Sequence, residues 1–550
     1  MADLILRGGR GAGSAAPHNE RGVVYLGGGR RAEAVLVQGD RIAAVGSSEE
    51  IAERAGRSVR VVDLDGGMVL PAFQDAHAHP LFGGLAKLQC DLHDISPASE
   101  VLTTIRRYVA DHPDEPWIAG SGWQLHDFPE GPHRSQLDAI EADRPVYLVD
   151  SNVHTAWVNT RALQLAGIDR NTPDPPDGRV ERDADGEPTG VLHEGAETVV
   201  RDLVPPPTPS RYLEALRLAQ GQLHAFGISA WSDAWIERDT LEVYRSFDES
   251  GELTARVTLS LLWGRHGGEA QLDDLLELRK LGTTGHLDAN TAKLFLDGVI
   301  ETFTASVLEP YLDATGATTE NTGIDMFDPV DLNRFATLLD HEGFQLHFHA
   351  IGDRAVRLGL DACAAARSAN GARDSRHHIA HVQLVHPDDI ARFAELGVVV
   401  NAQPYWAQND SVMEELTLAF QTPQRRRWFY PFGDLLRSGA RLAMGSDWPV
   451  TTPDPLHELE VAVRRTPVED PDAEVLLPDQ RLDLVDALDA FTAGSAFVNR
   501  DEEGGAIAEG LRADLVVVDK DLFELDGRTS QARVLLTMAG GRIVHDEGLL

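Results

Sequence analysis

Short apolar runs recur through the middle of the chain, each followed by residues with helical apolar spacing, and the intervals between the runs constrain the fold. They are Met68–Phe73, Ile228–Ser232, Arg256–Leu262, Ala292–Leu296, Gln345–His349, His377–Val382, Val398–Gln403 and Leu442–Ser446. Between them, Asp331–Glu342, Asp353–Ala366 and Pro387–Leu396 place apolar residues three and four apart, with Asp or Pro near their starts. Strands alternating with helices predict a parallel sheet, and eight of them predict a (β/α)8 TIM barrel, whose roughly 250 residues allow about 31 per unit. From His349 to His381 is 32 residues and from His381 to Asp447 is 66, one unit and two. Lys293 to His349 is 56, one unit plus extra loop. His79 to Lys293 is 214, where three units need about 93, so about 120 residues are inserted. Because Ile228, Val257 and Lys293 are spaced by 29 and 36, the insertion falls after the first strand, in 85–215. Its turn signals (Asp174-Pro175-Pro176-Asp177-Gly178, Asp185-Gly186, Pro205-Pro206-Pro207) predict β structure of its own.

The two ends read differently. Asp3–Arg7, Ala34–Val37, Arg41–Val45 and Arg60–Leu64 are short strand patterns, and so are Ala513–Asp519, Val534–Met538 and Arg542–His545, the last two joined at Gly540-Gly541. Residues 1–70 and 505–550 are expected to form one small β-sandwich-like domain beside a barrel of residues 71–504, with Gly11–Gly22 a mobile loop. Lys and Arg number 49 against 88 Asp and Glu, a formal charge of −39 that argues against nucleic acid and anionic membranes as partners. Two cysteines, no apolar run long enough to span a bilayer and no signal or lipidation motif at the start point to a cytoplasmic protein. The expected partners are a small-molecule substrate and, at most, a second copy of the chain as a homodimer.

Candidate chemistry sits at the ends of the strands, where barrel active sites lie. His77 and His79, two apart, point the same way from a strand and can reach one metal ion. Lys293 lies inside an apolar run of a chain with only four lysines against 45 arginines. It is either an ion-pair partner of Asp297 or Glu301, or a buried amine of depressed pKa that adds carbon dioxide and becomes a bridging carbamate ligand. His347 and His349 share a face, one of them a core or metal-supporting residue, and of His377, His378 and His381 at least one is structural. Asp447 ends the last strand. This nitrogen and oxygen donor set suits a divalent ion, zinc before others, one or two per chain. The insertion should overhang the barrel mouth and supply Trp123, His126 and His154 as substrate-binding walls, with Trp406 and Trp448 facing the same space.

These motifs, His77-x-His79, Lys293-Leu-Phe-x-Asp-Gly, His349-Ala-Ile-Gly-Asp-Arg-Ala, His381-x-Gln-Leu and Gly445-Ser-Asp-x-Pro, resemble the amidohydrolase superfamily. Within it they resemble the YtcJ-like branch, amidohydrolase family 3, which includes the N-substituted formamide deformylases. Val153-His-Thr-Ala-Trp-Val-Asn, Gly186-Glu-Pro-Thr-Gly-Val-Leu and Gly510-Leu-Arg-Ala-Asp-Leu-Val-Val-Val-Asp extend the likeness over nearly the whole chain. Two positions depart from the branch's usual pattern: Ala380 stands where Glu is common, and Pro-Ala-Phe-Gln-Asp replaces Pro-Gly-Phe-x-Asp. The resemblance implies a metal-dependent hydrolase on a distorted barrel with a β domain built from both termini.

The leading expectation is hydrolysis of a non-peptide carbon–nitrogen bond in an amide-like molecule by metal-activated water, with Asp447 as general base and acid. The sites expected are His77, His79 and Asp447 on one ion, His349 and His381 on a second, and the Lys293 carbamate between them; the rival is one ion on His77, His79 and Asp447. Ester hydrolysis, deamination, decarboxylation or a non-catalytic binding protein are the alternatives on the same scaffold.

Overall fold

The computed structural model describes residues 3–8, 23–56 and 59–550. Gly11–Gly22 lies outside the described residues.

Eight parallel strands form the barrel: β1 (Phe73–Ala78), β2 (Ile228–Ile236), β3 (Arg256–Leu262), β4 (Leu287–Phe295), β5 (Gln345–Ala350), β6 (His378–His381), β7 (Val399–Ala402) and β8 (Leu442–Met444). Neighbours pair in chain order from β1 to β8. The remaining seam closes just beyond the strand ends, where the Asp447 N–H donates to the His77 carbonyl and the His79 N–H to the Trp448 carbonyl, both at 2.7 Å. Both bonds fall at the carboxyl face, so the closure of the barrel and the position of its candidate ligands depend on the same backbone.

The predicted first strand needs one correction. Met68–Pro71 pairs antiparallel with Leu515–Val518 in a different sheet, and β1 begins only at Phe73. The chain crosses between sheets at Pro71-Ala72: Ala72 N–H bonds Asp514 O, whereas Phe73 N–H bonds Gly227 O. Proline has no N–H to continue the ladder, so the apolar run divides there.

The two ends of the chain meet. One sheet has four strands in the order Arg41–Gly46, Ala34–Gln38, Leu4–Arg7, Arg60–Asp63, and the other six, from Arg542–Asp546 through Val534–Ala539, Leu515–Val518, Met68–Pro71 and Val24–Gly27 to Arg30–Ala32. Leu6, Val35, Val37, Val69, Val517 and Leu536 are buried together between them. Deleting residues 505–550 removes three of the six strands and bares Met68–Pro71 as a sheet edge. Each buried Val or Leu contributes about 1.5–3 kcal/mol, so uncovering Leu6, Val24, Val35, Val37 and Val69 removes an amount comparable with the ~5–15 kcal/mol of a whole domain. The truncated chain is expected in the insoluble fraction; a soluble, monodisperse truncation with a cooperative melt would show that the ends fold independently.

Between β1 and β2 the chain leaves the barrel to build a six-stranded sheet, Gly178–Arg182, Pro188–Glu194, Thr155–Val158, Val146–Asp150, Ile118–Trp123 and Cys90–Asp91 in spatial order. Its core holds Trp123, Trp157 and Leu148 on one face and Val158, Leu192 and Val200 on the other. Among the described residues no helix is long and apolar enough to cross a membrane.

Candidate metal centre and active site

The Asp447 carboxylate is the point on which the site converges. Its Oδ1 lies 3.2 Å from His77 Nε2 and 3.2 Å from His79 Nε2, and its Oδ2 lies 3.9 Å from His381 Nδ1. All four side chains are buried. His77 is the penultimate residue of β1, His79 caps the helix Pro80–Ala86, and His381 ends β6. His381 and Asp447 have φ of +75° and +58°, left-handed values costly for residues with a Cβ and concentrated at functional sites.

The Gly-Ser-Asp turn has a physical reason. A Cβ on Gly445 would stand 2.4 Å from the His77 backbone nitrogen, so only glycine lets β8 approach β1 this closely. Asp75 then clamps the two together, accepting from Ser446 Oγ at 2.6 Å, Ser446 N–H at 3.1 Å and His77 N–H at 3.0 Å. Burial pushes the Asp75 carboxyl up to about 7 despite these bonds.

His347 lies behind the first histidine. Its Nε2 is 2.9 Å from His77 Nδ1 and its Nδ1 is 3.0 Å from Ser260 Oγ, an arrangement that orients the His77 ring and leaves its other nitrogen for Asp447 or a metal. Lys293, wholly buried, places Nζ 3.5 Å from His347 Nε2 and 4.7 Å above the Phe295 ring. It has no carboxylate partner among the described residues. Asp297 instead accepts three backbone N–H groups, from Ser306, Ile351 and Gly352, and Glu301 accepts from Thr417. Burial, opposed by the charge of Asp447, pushes the Lys293 amine down from 10.5 to about 7.

His349 sits apart from Asp447. Its Nε2 is 3.3 Å from the Gly298 carbonyl and 3.7 Å from Asp297, and its ring lies 4.5 Å from that of His381. His377 is tied to Asp340 at 3.0 Å and His378 to Gln345 at 3.2 Å, both as parts of the barrel's packing.

A cavity of about 650 Å³ opens over these groups, and Trp123, His126, His154, Trp406 and Trp448 all line it. Trp406 stacks on His381 with rings 5.2 Å apart and 5° from parallel. Trp123 is fully buried, donates its indole N–H to Leu148 O and backs the wall from the insertion's core. His154 is held by both oxygens of Glu194 at 3.1 Å, and their pairing raises it to about 9 against the opposing effect of burial. Glu194 also accepts from Thr304 and has φ +53°. Glu194, Asp75 and the ring walls Phe82, Trp235 and Phe295 went unread in the sequence. Asp75 and Phe295 fall inside motifs quoted above, but their roles, like those of the other three, show only through partners far along the chain, Ser446 for Asp75 and His349 for Phe295.

The donor set fits a divalent cation. The ligand atoms of His77, His79 and Asp447 lie within 4.8 Å of one another, and His381 Nδ1, 3.9 Å from Asp447 Oδ2, is buried with no hydrogen-bond partner. A buried imidazole nitrogen without a partner beside a carboxylate is costly unless something else binds it.

The chain is similar over most of its length to known proteins. It is 31% identical to Protein LONG AFTER FAR-RED 3 of Arabidopsis thaliana, covering 94% of this chain and 88% of that one. It is 28% identical to an N-substituted formamide deformylase of Arthrobacter pascens, covering 94% and 95%. An uncharacterized metal-dependent hydrolase from Pyrococcus furiosus superposes with a TM-score of 0.70 at 26% identity, covering 94% of this chain and 99% of that one. The amidohydrolase family model matches residues 60–545, from the last strand of the four-stranded end sheet through the barrel to the final strand. With that match enclosing every histidine, lysine and carboxylate of the site, the chain belongs to the amidohydrolase family.

Proposed function

We propose that this hydrolase cleaves the carbon–nitrogen bond of an amide-like small molecule at a metal centre. The observation that carries the reading is the convergence of three imidazoles on the Asp447 carboxylate at the mouth of a deep cavity. His77, His79 and Asp447 would hold one ion, His349 and His381 a second, and Lys293 as its carbamate would join them. The nitrogen and oxygen donors favour zinc. A divalent ion held there supplies Lewis-acid chemistry, polarising a carbonyl and making water more acidic.

The chain's own residues do the rest. Asp447 accepts the proton of the attacking water and delivers it to the departing nitrogen as the C–O bond forms and the C–N bond breaks. Trp406 and Trp448 wall the cavity and favour an apolar or aromatic group on the acyl or amine side. The formamide deformylase among the relatives supports an N-acyl or N-formyl substrate. Cys90 and Cys363, both buried and unpaired, fit a reducing cytoplasm.

The test is metal analysis with a substrate panel. N-formyl, N-acyl and cyclic amides, and esters of matched shape, are offered to the metal-loaded protein before and after chelation. Amide turnover lost on chelation and regained with zinc is expected. Turnover of esters alone, or binding without turnover of any member, would overturn the assignment.

A further inference from the structure

A chain of hydrogen bonds crosses the inside of the barrel beneath the candidate metal site. His77 Nδ1 meets His347 Nε2 at 2.9 Å, His347 Nδ1 meets Ser260 Oγ at 3.0 Å, and Ser260 Oγ meets Ser232 Oγ at 3.3 Å. It passes from β1 to β5, then to β3 and β2. His347, Ser260 and Ser232 are completely buried, and His77 almost so. The His347 ring stands nearly perpendicular to those of His77, at 4.8 Å, and His378, at 4.2 Å. It cannot turn to exchange partners without displacing a neighbour.

The direction in which these bonds donate bears on the metal. No carboxylate contacts His347 among the described residues, and an unpaired buried charge is costly, so its ring is neutral, with one N–H and one lone pair. A metal-binding imidazole is neutral as well. His77 Nε2 is the nitrogen that faces Asp447 Oδ1, at 3.2 Å. For Nε2 to offer its lone pair to an ion, the His77 proton has to sit on Nδ1 and point at His347. His347 then accepts at Nε2, carries its own proton on Nδ1 and donates to Ser260. A hydroxyl accepts one bond while donating another, so Ser260 turns its proton to Ser232 and every nitrogen and oxygen of the chain has a partner. In the opposite direction His77 presents an Nε2–H to Asp447, which pairs with the carboxylate and cannot bind a cation. Lys293 Nζ also reaches His347 Nε2, at 3.5 Å, but that nitrogen has one lone pair and His77 is the nearer donor.

Ser260 makes the metal-binding direction available. Among the described residues it is the only partner of His347 Nδ1. Without its hydroxyl, the N–H that His347 has to carry there would be buried with no acceptor, and an orphaned buried donor bears the full cost of its desolvation.

We propose that Ser260, acting through His347, is a positioning residue for the metal centre and fixes the His77 tautomer whose Nε2 binds the ion. The inference rests on His77 being a ligand, as in the reading above, and not on which bond the enzyme cleaves. The test is the zinc affinity of the metal-free full chain, measured by competition with a chromophoric chelator, in wild type, Ser260→Ala, His347→Phe and the double variant. Loss of an outer partner of a ligating histidine costs about ten- to a hundredfold in metal affinity. Ser260→Ala is expected to weaken zinc about tenfold and His347→Phe about a hundredfold. The double variant should bind no more weakly than His347→Phe alone, because the serine acts only through that ring. Losses that multiply in the double variant would make the two residues independent and overturn the proposal. Ser260→Thr keeps the hydroxyl and should bind zinc as wild type does; equal weakening by threonine and alanine would assign the effect to packing in β3 and likewise overturn it. Wild type that binds no zinc would sink the metal reading and this inference together, whereas tight binding left unchanged by Ser260→Ala would sink this inference alone.

Discussion

Asp447→Asn is expected to lower turnover by about 10³-fold, roughly 4 kcal/mol of transition-state stabilisation, with metal content near that of wild type. The amide keeps an oxygen where Oδ1 meets His77 and His79, so a ligand position survives, but it cannot take a proton from water or return one to nitrogen. The substitution is also gentle on the fold. Asp447 sits at φ +58°, a region asparagine tolerates well, and its backbone bonds to His77 and Val450 do not involve the side chain. Alanine at the same position would add strain to the loss of the carboxylate and confuse the result. Turnover, metal content and melting temperature measured on one preparation separate the cases. Near-normal turnover with full metal would remove Asp447 from the proton-transfer role.

What could be read beforehand, and what could not, follows from the range of each interaction. The barrel was legible because a repeat of about 31 residues leaves few other folds, and the insertion was legible as a surplus of length. His77 and His79 were legible as a pair through the two-residue period of a strand, although His79 has left β1 and caps a helix. The same period put His347 and His349 on one face without telling their depths. In the structure His347 is beneath His77 and touches Ser260, while His349 faces Gly298. That difference depends on how β5 stands across the barrel from β1, a relation between strands that are not neighbours. Met68–Phe73 was misread because apolarity carries no record of which sheet a residue joins, although Pro71 marked the break. Glu194 was invisible for the same reason of distance: its partners His154 and Thr304 are 40 and 110 residues away.

Lys293→Ala is expected to reduce bound metal to one ion per chain or fewer and to lower turnover by about a hundredfold. Lys293 is fully buried with no ion-paired carboxylate among the described residues, and burial, opposed by the charge of Asp447, moves its amine down to about 7, which raises the share of uncharged amine at neutral pH. A free ammonium would repel a cation held by His77, His79 and Asp447, whereas the amine adds to carbon dioxide: the nitrogen forms a bond to carbon, its proton leaves, and an anionic oxygen pair results. The wild-type protein, measured intact at native pH, should then carry the extra mass of one carbon dioxide that is lost on acidification. Alanine also leaves a void, and a cavity alone costs about 2–5 kcal/mol, so activity by itself proves little. Lys293→Met refills the volume and should restore the melting temperature without restoring metal or turnover. Acetate or propionate added to Lys293→Ala should do the reverse, entering the space, supplying a carboxylate and recovering part of both. If wild type binds one ion per chain when saturated with metal and its mass shows an unmodified lysine, the bridged pair is excluded, and His77, His79 and Asp447 alone would remain as the metal site.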